Sequence, residues 1–179
     1  VCTDITERKR AEELNRIQRD LALKLGEAAG LDEALLVCLE TAIDISLMDS
    51  GGIYLATGEG ALELKVTKGL SQQFIDEAEI YEPGSENVKV ISAGRPQYVA
   101  AEQLTQLLNE NQHEEGLRAL AVLPVLTEGK TIACINIASH ERDEVPVQIR
   151  LALESTTSQI GNALARAIAR ERIKEQEEE

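Results

Sequence analysis

The sequence predicts an α+β fold built on a central antiparallel sheet of five or six strands. Apolar residues at gaps of three and four mark helices at both ends of the chain. Between them, two nearly continuous apolar runs joined by a tight turn mark buried strands. Because such strands need cover on both faces, we expect the first, second and last helices on one face and short helices and loops on the other.

The first two elements are predicted to be helices. Residues 5–29 are good helix formers whose apolar stripe is Leu14, Ile17, Leu21, Leu25 and Ala28. Gly30 ends this helix, and Asp32 can cap a second helix. The stripe of the second helix is Leu35, Leu39, Ala42, Ile43 and Leu47.

A hairpin and short helices are predicted in the middle of the chain. Residues 53–56 and 62–66 read as strands on either side of a glycine-containing turn. Short helices are expected at residues 71–78 and 85–93, the second ended by glycine and proline. Residues 98–116 are polar, and we expect a mobile loop there with a short helix at 103–109.

The buried strands and a long helix are predicted near the end of the chain. The strands cover residues 117–126 and 131–139 and are joined by a turn at 127–130. A last helix begins near Pro146 and carries apolar residues at gaps of three and four up to Ala167. Residues 170–179 continue it without a core face of their own, and we expect an outgoing coiled-coil linker to start at 167–179.

Composition limits the partners of this chain. The 179 residues include 32 acidic and 18 basic ones, and the net charge of −14 opposes binding to nucleic acid or to an anionic membrane surface. The three cysteines lack metal-finger spacing, so we expect a reduced, cytoplasmic setting. No apolar run approaches the roughly 20 residues of a membrane span. We expect an internal fragment of a longer protein, which is free to have a membrane anchor elsewhere.

Several stretches together resemble the GAF family of small-molecule-sensing domains. Residues 120–126, with an internal Pro124, are followed by Gly129 and by the apolar run 132–137, like the family's paired core strands. Residues 51–55 resemble its first strand and residues 160–164 its closing helix. The resemblance covers residues 31–166 and implies a sensory domain that contains the closing helix from about 146.

The first thirteen residues, VCTDITERKRAEE, resemble the exit of a PAS domain followed by a signalling helix. Asp4 and Thr6 are positioned to cap a helix starting near Glu7. This resemblance implies a PAS remnant at residues 1–6, a signalling helix at 7–30 and a linker at 167–179. It also implies a parent similar to multidomain sensor histidine kinases, with an output domain downstream in the same chain.

The resemblance to family pockets, combined with strand alternation, implies a ligand site on the shielded sheet face. The strand residues assigned to it are Ile53, Leu55, Leu120, Val122, Cys134, Asn136 and Ala138. The lid residues assigned to it are Phe74, Tyr81, Val88 and Tyr98. The residues assigned to the opposite, helix-covered face are Tyr54, Ala119, Ala121, Leu123, Ile135 and Ile137. An error of one residue in register would exchange the two sets.

Few side chains suggest chemistry. Cys38 and Cys134 fit small buried residues, although a redox role for Cys134 stays open, and the setting of Cys2 is undefined. His113 and His140 fit surface histidines, with haem ligation an open alternative for His113. Asn136 either bonds to nearby backbone or faces a polar pocket.

Two functions follow from these features. The first is a non-catalytic sensory module that binds a small-molecule effector and relays conformational change through its flanking helices to an output domain. The alternative is a ligand-free dimerising spacer that relays a PAS signal, and a more distant one is a cysteine-based redox sensor or reductase. We expect a homodimer through the flanking helices and no required cofactor, and the identity of any effector is unknown.

Overall fold

The computed structural model describes residues 2–178, and the side chains of all of these except residues 2, 3 and 111. Within this part of the chain there are seven helices and six strands. The helices are α1 (Cys2–Glu27), α2 (Leu31–Ser46), α3 (Gln72–Glu77), α4 (Glu86–Ser92), α5 (Ala101–Leu107), α6 (Glu110–His113) and α7 (Val147–Glu177). The strands are β1 (Ser50–Ala56), β2 (Leu62–Lys68), β3 (Ile80–Tyr81), β4 (Gln97–Val99), β5 (Ala119–Thr127) and β6 (Lys130–Ser139).

The six strands form one antiparallel sheet in the order β3-β2-β1-β6-β5-β4. This confirms the predicted fold class. The two apolar runs form the β5–β6 hairpin near the sheet centre, and the glycine-containing turn joins β1 to β2. The edge strands β3 and β4 are two and three residues long, which is too short to give a periodic signal in the sequence.

The main core lies between the sheet and helices α2 and α7, and α1, which packs on these two helices, adds Leu21 to it. The long helices are thus on one side of the sheet, as predicted. The largest buried side chains in this core are Leu35, Leu39, Ile53, Leu123, Ile135, Ile137, Leu153, Ile160 and Leu164. Each such side chain contributes about 1.5–3 kcal/mol through burial of apolar surface. None of the helices among the described residues is long and apolar enough to cross a membrane.

Two adjacent glycines allow β1 to pack closely within the sheet. A Cβ atom on Gly51 would lie 2.5 Å from the backbone oxygen of Asn136, and one on Gly52 would lie 2.8 Å from Cδ1 of Leu64. Any larger residue at either position would push these neighbours apart.

Helices α3 to α6 lie over the other face of the sheet. The side chains of Ser71 and Ser85 cap α3 and α4 by accepting hydrogen bonds from the backbone N–H of Phe74 (3.2 Å) and Val88 (3.3 Å). The short helix expected at 103–109 is α5, but the rest of segment 98–116 is more regular than the predicted loop, because it also contains most of β4 and all of α6. Most polar side chains of this segment are exposed, whereas Leu104, Leu108 and Gln112 face the sheet.

Helix α1 begins earlier than predicted. It starts at Cys2, so Asp4 and Thr6 lie within its first turns and do not cap a helix at Glu7. Residues 3–6 include no glycine or proline that would interrupt the helix. The proposed strand end of a PAS domain at residues 1–6 is therefore helical from Cys2, and residue 1 lies outside the described residues.

Candidate functional site

A small cavity lies between the sheet and the helices that cover its second face. Its volume is about 80 Å³. The sheet side of the cavity consists of Gly51, Gly52, Tyr54, Leu64, Leu120, Asn136 and Ala138. Tyr81 of the edge strand β3 also lines the cavity, and the cover consists of Leu70, Phe74, Ala78, Leu104, Leu108, Gln112 and Leu117. Most of these residues are apolar, so the polar side chains are confined to a few positions.

The polar groups of the cavity are two tyrosines, Asn136 and Gln112. The Tyr54 hydroxyl donates a 2.6 Å hydrogen bond to the backbone oxygen of Ala78, and the Tyr54 and Tyr81 rings stack with their centroids 4.4 Å apart. Burial raises the pKa of both tyrosines, so both phenols are neutral at physiological pH. The wall thus offers hydrogen bonds but no formal charge.

Asn136 faces this cavity. Its side-chain oxygen accepts a 3.2 Å hydrogen bond from the thiol of Cys134, and Asn136 also forms part of the cavity wall. Of the two alternatives left open by the sequence, the structure therefore favours the polar pocket. The amide is satisfied partly by a sulfur, which is a weak donor.

Most of the residues assigned to the site lie together on the shielded face. Leu120, Asn136, Ala138, Phe74 and Tyr81 line the cavity itself. Three more of the assigned residues, Val122, Cys134 and Val88, pack with Tyr54 and Tyr81 in a small apolar cluster next to the cavity. The alternation on β5 and β6 was therefore predicted in the correct register.

The alternation predicted for β1 was wrong by one residue. Ile53 and Leu55 pack in the main core against the helices, whereas Tyr54 faces the cavity. Tyr54 lies opposite Cys134 in the β1–β6 pair, and opposite residues share a face. Ile53, Tyr54 and Leu55 are all apolar or aromatic and follow two glycines. The local sequence therefore contains no polar residue that would show which of them face the cavity and which face the helices.

Tyr98 does not belong to the lid. It lies opposite Ala121 in the β4–β5 pair and packs on the main core. The guanidinium of Arg150 lies over the Tyr98 ring, 4.6 Å from its centroid, in a cation–π contact. The Tyr98 hydroxyl donates a 3.3 Å hydrogen bond to the backbone oxygen of Arg150. Tyr98 therefore fastens α7 to the edge of the sheet.

The sequence placed residues 98–116 over the shielded face, but the residues of this segment that close the cavity were not named. Leu104 is 1% exposed, and it closes the cavity together with Leu108 and Gln112. The four-residue gap between the two leucines was the available signal, because it places them on one face of a helix. The polar composition of the segment obscured that signal.

The structure gives no support to a redox role for the cysteines or to haem ligation by His113. Cys38 and Cys134 are free and fully buried, and burial raises the pKa of each thiol to about 12, so both are protonated at neutral pH. The side chain of Cys2 lies outside the described residues. His113 is exposed and does not line the cavity, and within residues 2–178 no cluster of three or more His, Cys, Asp or Glu side chains is placed to hold a metal.

His140, assigned as a surface histidine, forms a second polar cluster at the end of β6. Its Nδ1 lies 2.6 Å from Oδ1 of Asp49, and its Nε2 lies 3.1 Å from Oε1 of Glu115. The backbone N–H of His140 donates to Oδ2 of Asp49 at 2.9 Å. Glu115 also accepts from the hydroxyl of Ser71 and from its backbone N–H, which links the cluster to the start of α3.

The fold and the cavity define an α+β domain with one sheet face packed on long helices and the other covered by short ones. The family model for the GAF domain matches residues 28–165, which is most of the chain. The chain belongs to the GAF domain family, whose members are typical of sensory and signalling proteins. The comparison with curated proteins gives no match.

Solved structures share this fold at low sequence identity. The GAF domain of a phosphoenolpyruvate-protein phosphotransferase from Coxiella burnetii is 16% identical, with a TM-score of 0.73 over 90% of this chain and 98% of that one. The GAF domain of a protein described as a sensor histidine kinase from Pseudomonas syringae pv. tomato is 14% identical, with a TM-score of 0.68 over 97% and 99%. The chromophore-binding domain of a bacteriophytochrome from R. palustris is 10% identical, with a TM-score of 0.66 over 88% and 63%.

Proposed function

We propose that this domain senses a small, largely apolar or weakly polar effector in the cavity between the sheet and helices α3 to α6. The observation that carries this proposal is the arrangement of Asn136, Tyr54, Tyr81 and Gln112 around an otherwise aliphatic space. Apolar walls with a few convergent polar groups are typical of small-molecule sites. Because the wall has no charged side chain, we expect a neutral effector.

The size of the cavity sets a condition on binding. Its volume of about 80 Å³ is well below the roughly 300–1,000 Å³ of ordinary ligand pockets. An effector of more than a few non-hydrogen atoms therefore has to displace the cover. The short helices α3, α5 and α6 are the parts that would move, since the sheet side is fixed by its strand pairing.

We further propose that the domain passes this change to an output domain, such as a histidine kinase, through α1 and α7. Helix α7 packs on the opposite face of the same sheet, and α1 packs on α2 and α7 on that side. Neighbouring residues of β6 connect the two faces, because Cys134 adjoins the cavity and Ile135 packs in the main core. A similar fold in a protein described as a sensor histidine kinase supports this choice of output. We propose no catalytic activity for the domain itself and a cytoplasmic location.

A ligand-free spacer is the second candidate, and one observation favours it. The stacked Tyr54 and Tyr81 rings already occupy much of the space under the cover. In that case the domain would relay a signal from α1 to α7 with no effector of its own.

We also propose that two copies associate through the flanking helices. Much of the apolar stripe of α7 is buried within its own domain, because Leu153, Ile160 and Leu164 are at most 1% exposed. A remaining apolar surface lies between α1 and the first turns of α7, where Leu14 and Leu151 line an open groove. A second copy supplies the same groove, so a symmetric pair would cover both.

Effector binding can be tested directly on the purified chain. Native mass spectrometry should detect a small neutral molecule bound to the protein, and adding that molecule back to stripped protein should raise its melting temperature. If neither retention nor stabilisation is found for any molecule in a broad screen, the spacer becomes the better explanation.

A further inference from the structure

The cluster around His140 joins three separate segments of the chain to the end of the sheet. Asp49 precedes β1, Glu115 follows α6, and Ser71 caps α3. The Glu115 side chain is only 5% exposed, whereas those of His140 and Asp49 are 30% and 39% exposed. One of the points that fasten the cavity cover to the sheet is thus partly accessible to solvent.

The geometry around the imidazole ring requires two protons. Each ring nitrogen faces a carboxylate oxygen, Nδ1 that of Asp49 and Nε2 that of Glu115. A neutral imidazole has a single N–H, so one of its nitrogens would present a lone pair to a carboxylate. Only the imidazolium form donates to both partners at once.

The other charged groups near this ring have partners elsewhere. Arg118 is paired with Asp143, 2.5 Å apart, and the Glu114 carboxylate accepts from Gln73 at 3.4 Å. Among the described residues, no hydrogen bond or ion pair connects the flanking Glu141 and Arg142 side chains with the His140 ring. Asp49 and Glu115 are therefore the acids that control its charge.

We propose that the His140 imidazolium is a pH-sensitive latch that holds the cover of the cavity closed. Loss of one ring proton removes one of the two donated hydrogen bonds and leaves a carboxylate facing a lone pair. The segments that carry Ser71 and Glu115 then separate more easily from the sheet. This movement opens the cavity, which in its closed form is too small for an effector of more than a few non-hydrogen atoms. The link to sensing rests on the proposed function, but the latch itself operates without an effector.

The pKa shifts define the pH window of the latch. Burial alone would lower the pKa of His140, but the hydrogen bonds and charges of Asp49 and Glu115 outweigh burial and raise the pKa above its usual 6.5. Burial would raise the pKa of Asp49 and Glu115, but their bonds to His140 and Ser71 lower it below the usual 3.8 and 4.5. The latch is therefore fully formed between about pH 4.5 and pH 6.5 and is lost as the pH rises through the raised pKa of His140.

Hydrogen exchange measured by mass spectrometry tests the latch in the effector-free chain. Rates corrected for intrinsic exchange should show protection of residues 70–78 and 109–118 falling roughly threefold to tenfold between about pH 6 and about pH 8.5. The β5 and β6 strands should keep their protection over the same range. In His140→Gln the two segments should be weakly protected at both pH values, while His113→Gln, the matched control, should behave as the wild type.

Two results would overturn the proposal: wild-type segments whose protection does not change with pH, or a His140→Gln variant that keeps the wild-type change. If His140→Gln does not fold, Glu115→Gln and the NMR titration of the His140 ring replace it. The titration midpoint should fall in Glu115→Gln, and an unchanged midpoint would also contradict the latch. Failure to find an effector leaves these measurements unaffected, so the latch and the proposed function can fail separately.

Discussion

A larger side chain on the sheet side of the cavity would fill it, and its effect on stability tests whether the cavity exists. Ala138 lies on β6, is 3% exposed and lines the cavity. The substitution Ala138→Leu adds three carbon atoms, which occupy roughly 90 Å³ at about 30 Å³ for each water-sized group. This matches the cavity volume of about 80 Å³. Burying three further carbons gains at most about 2.4 kcal/mol, at roughly 0.8 kcal/mol each.

Strain from imperfect fit offsets part of this gain, so we expect the free energy of unfolding of Ala138→Leu to stay within about 1 kcal/mol of the wild type. Ala121→Leu is the matched control, because Ala121 is fully buried on the opposite face of the sheet and lines no cavity there. This control should lose about 1–3 kcal/mol by overpacking. Urea denaturation followed by circular dichroism measures both values.

An equal loss of stability in the two variants would refute the cavity. The same variants also test binding. Ala138→Leu should abolish binding of any effector found for the wild type while leaving the fold intact. If this variant bound the effector with unchanged affinity, the effector site would lie elsewhere and the cavity would have no sensory role.

Three further predictions concern association, capping and thiol reactivity. Changing Leu14 and Leu151 together to Asp should shift the mass measured by light scattering toward that of the monomer. The control Leu107→Asp, at an exposed position of α5, should leave the mass unchanged. A wild-type protein that is monomeric at high concentration would contradict the dimer. Ser71→Ala should cost about 0.5–2 kcal/mol in urea denaturation, because α3 loses its cap. Cys134 should react with iodoacetamide only in the unfolded protein, and peptide mapping would detect early labelling.

The faces of β5 and β6 were predicted correctly. They were assigned from the resemblance to family pockets together with strand alternation, and Leu120 and Ala138 lie on the predicted face. On β1 the two glycines and three apolar residues carry no polar marker, so the phase of the strand depends on its pairing with β6. Pairing is a long-range property, which local periodicity does not encode.

The His140 cluster shows a second limit. Its members lie up to 91 positions apart in the chain, and each is an ordinary exposed polar residue when viewed alone. Only the antiparallel order of the sheet brings the end of β6 next to the start of β1. The apolar stripes of the long helices are local, and they were predicted on the correct faces except for Leu47, which lies just beyond the end of α2 and is 65% exposed.

The length of α7 beyond the domain body makes it a lever. Ile168 still packs against the main core, and the helix runs on to Glu177 without interruption. Nine further residues at about 1.5 Å each extend roughly 14 Å. A tilt of about 5° at Ile168 would therefore move the far end by roughly 1 Å, within the range of the helix shifts that switch subunit interfaces. A small tilt of α7 within the domain thus becomes a larger displacement at the far end of the helix, where a downstream partner would contact it.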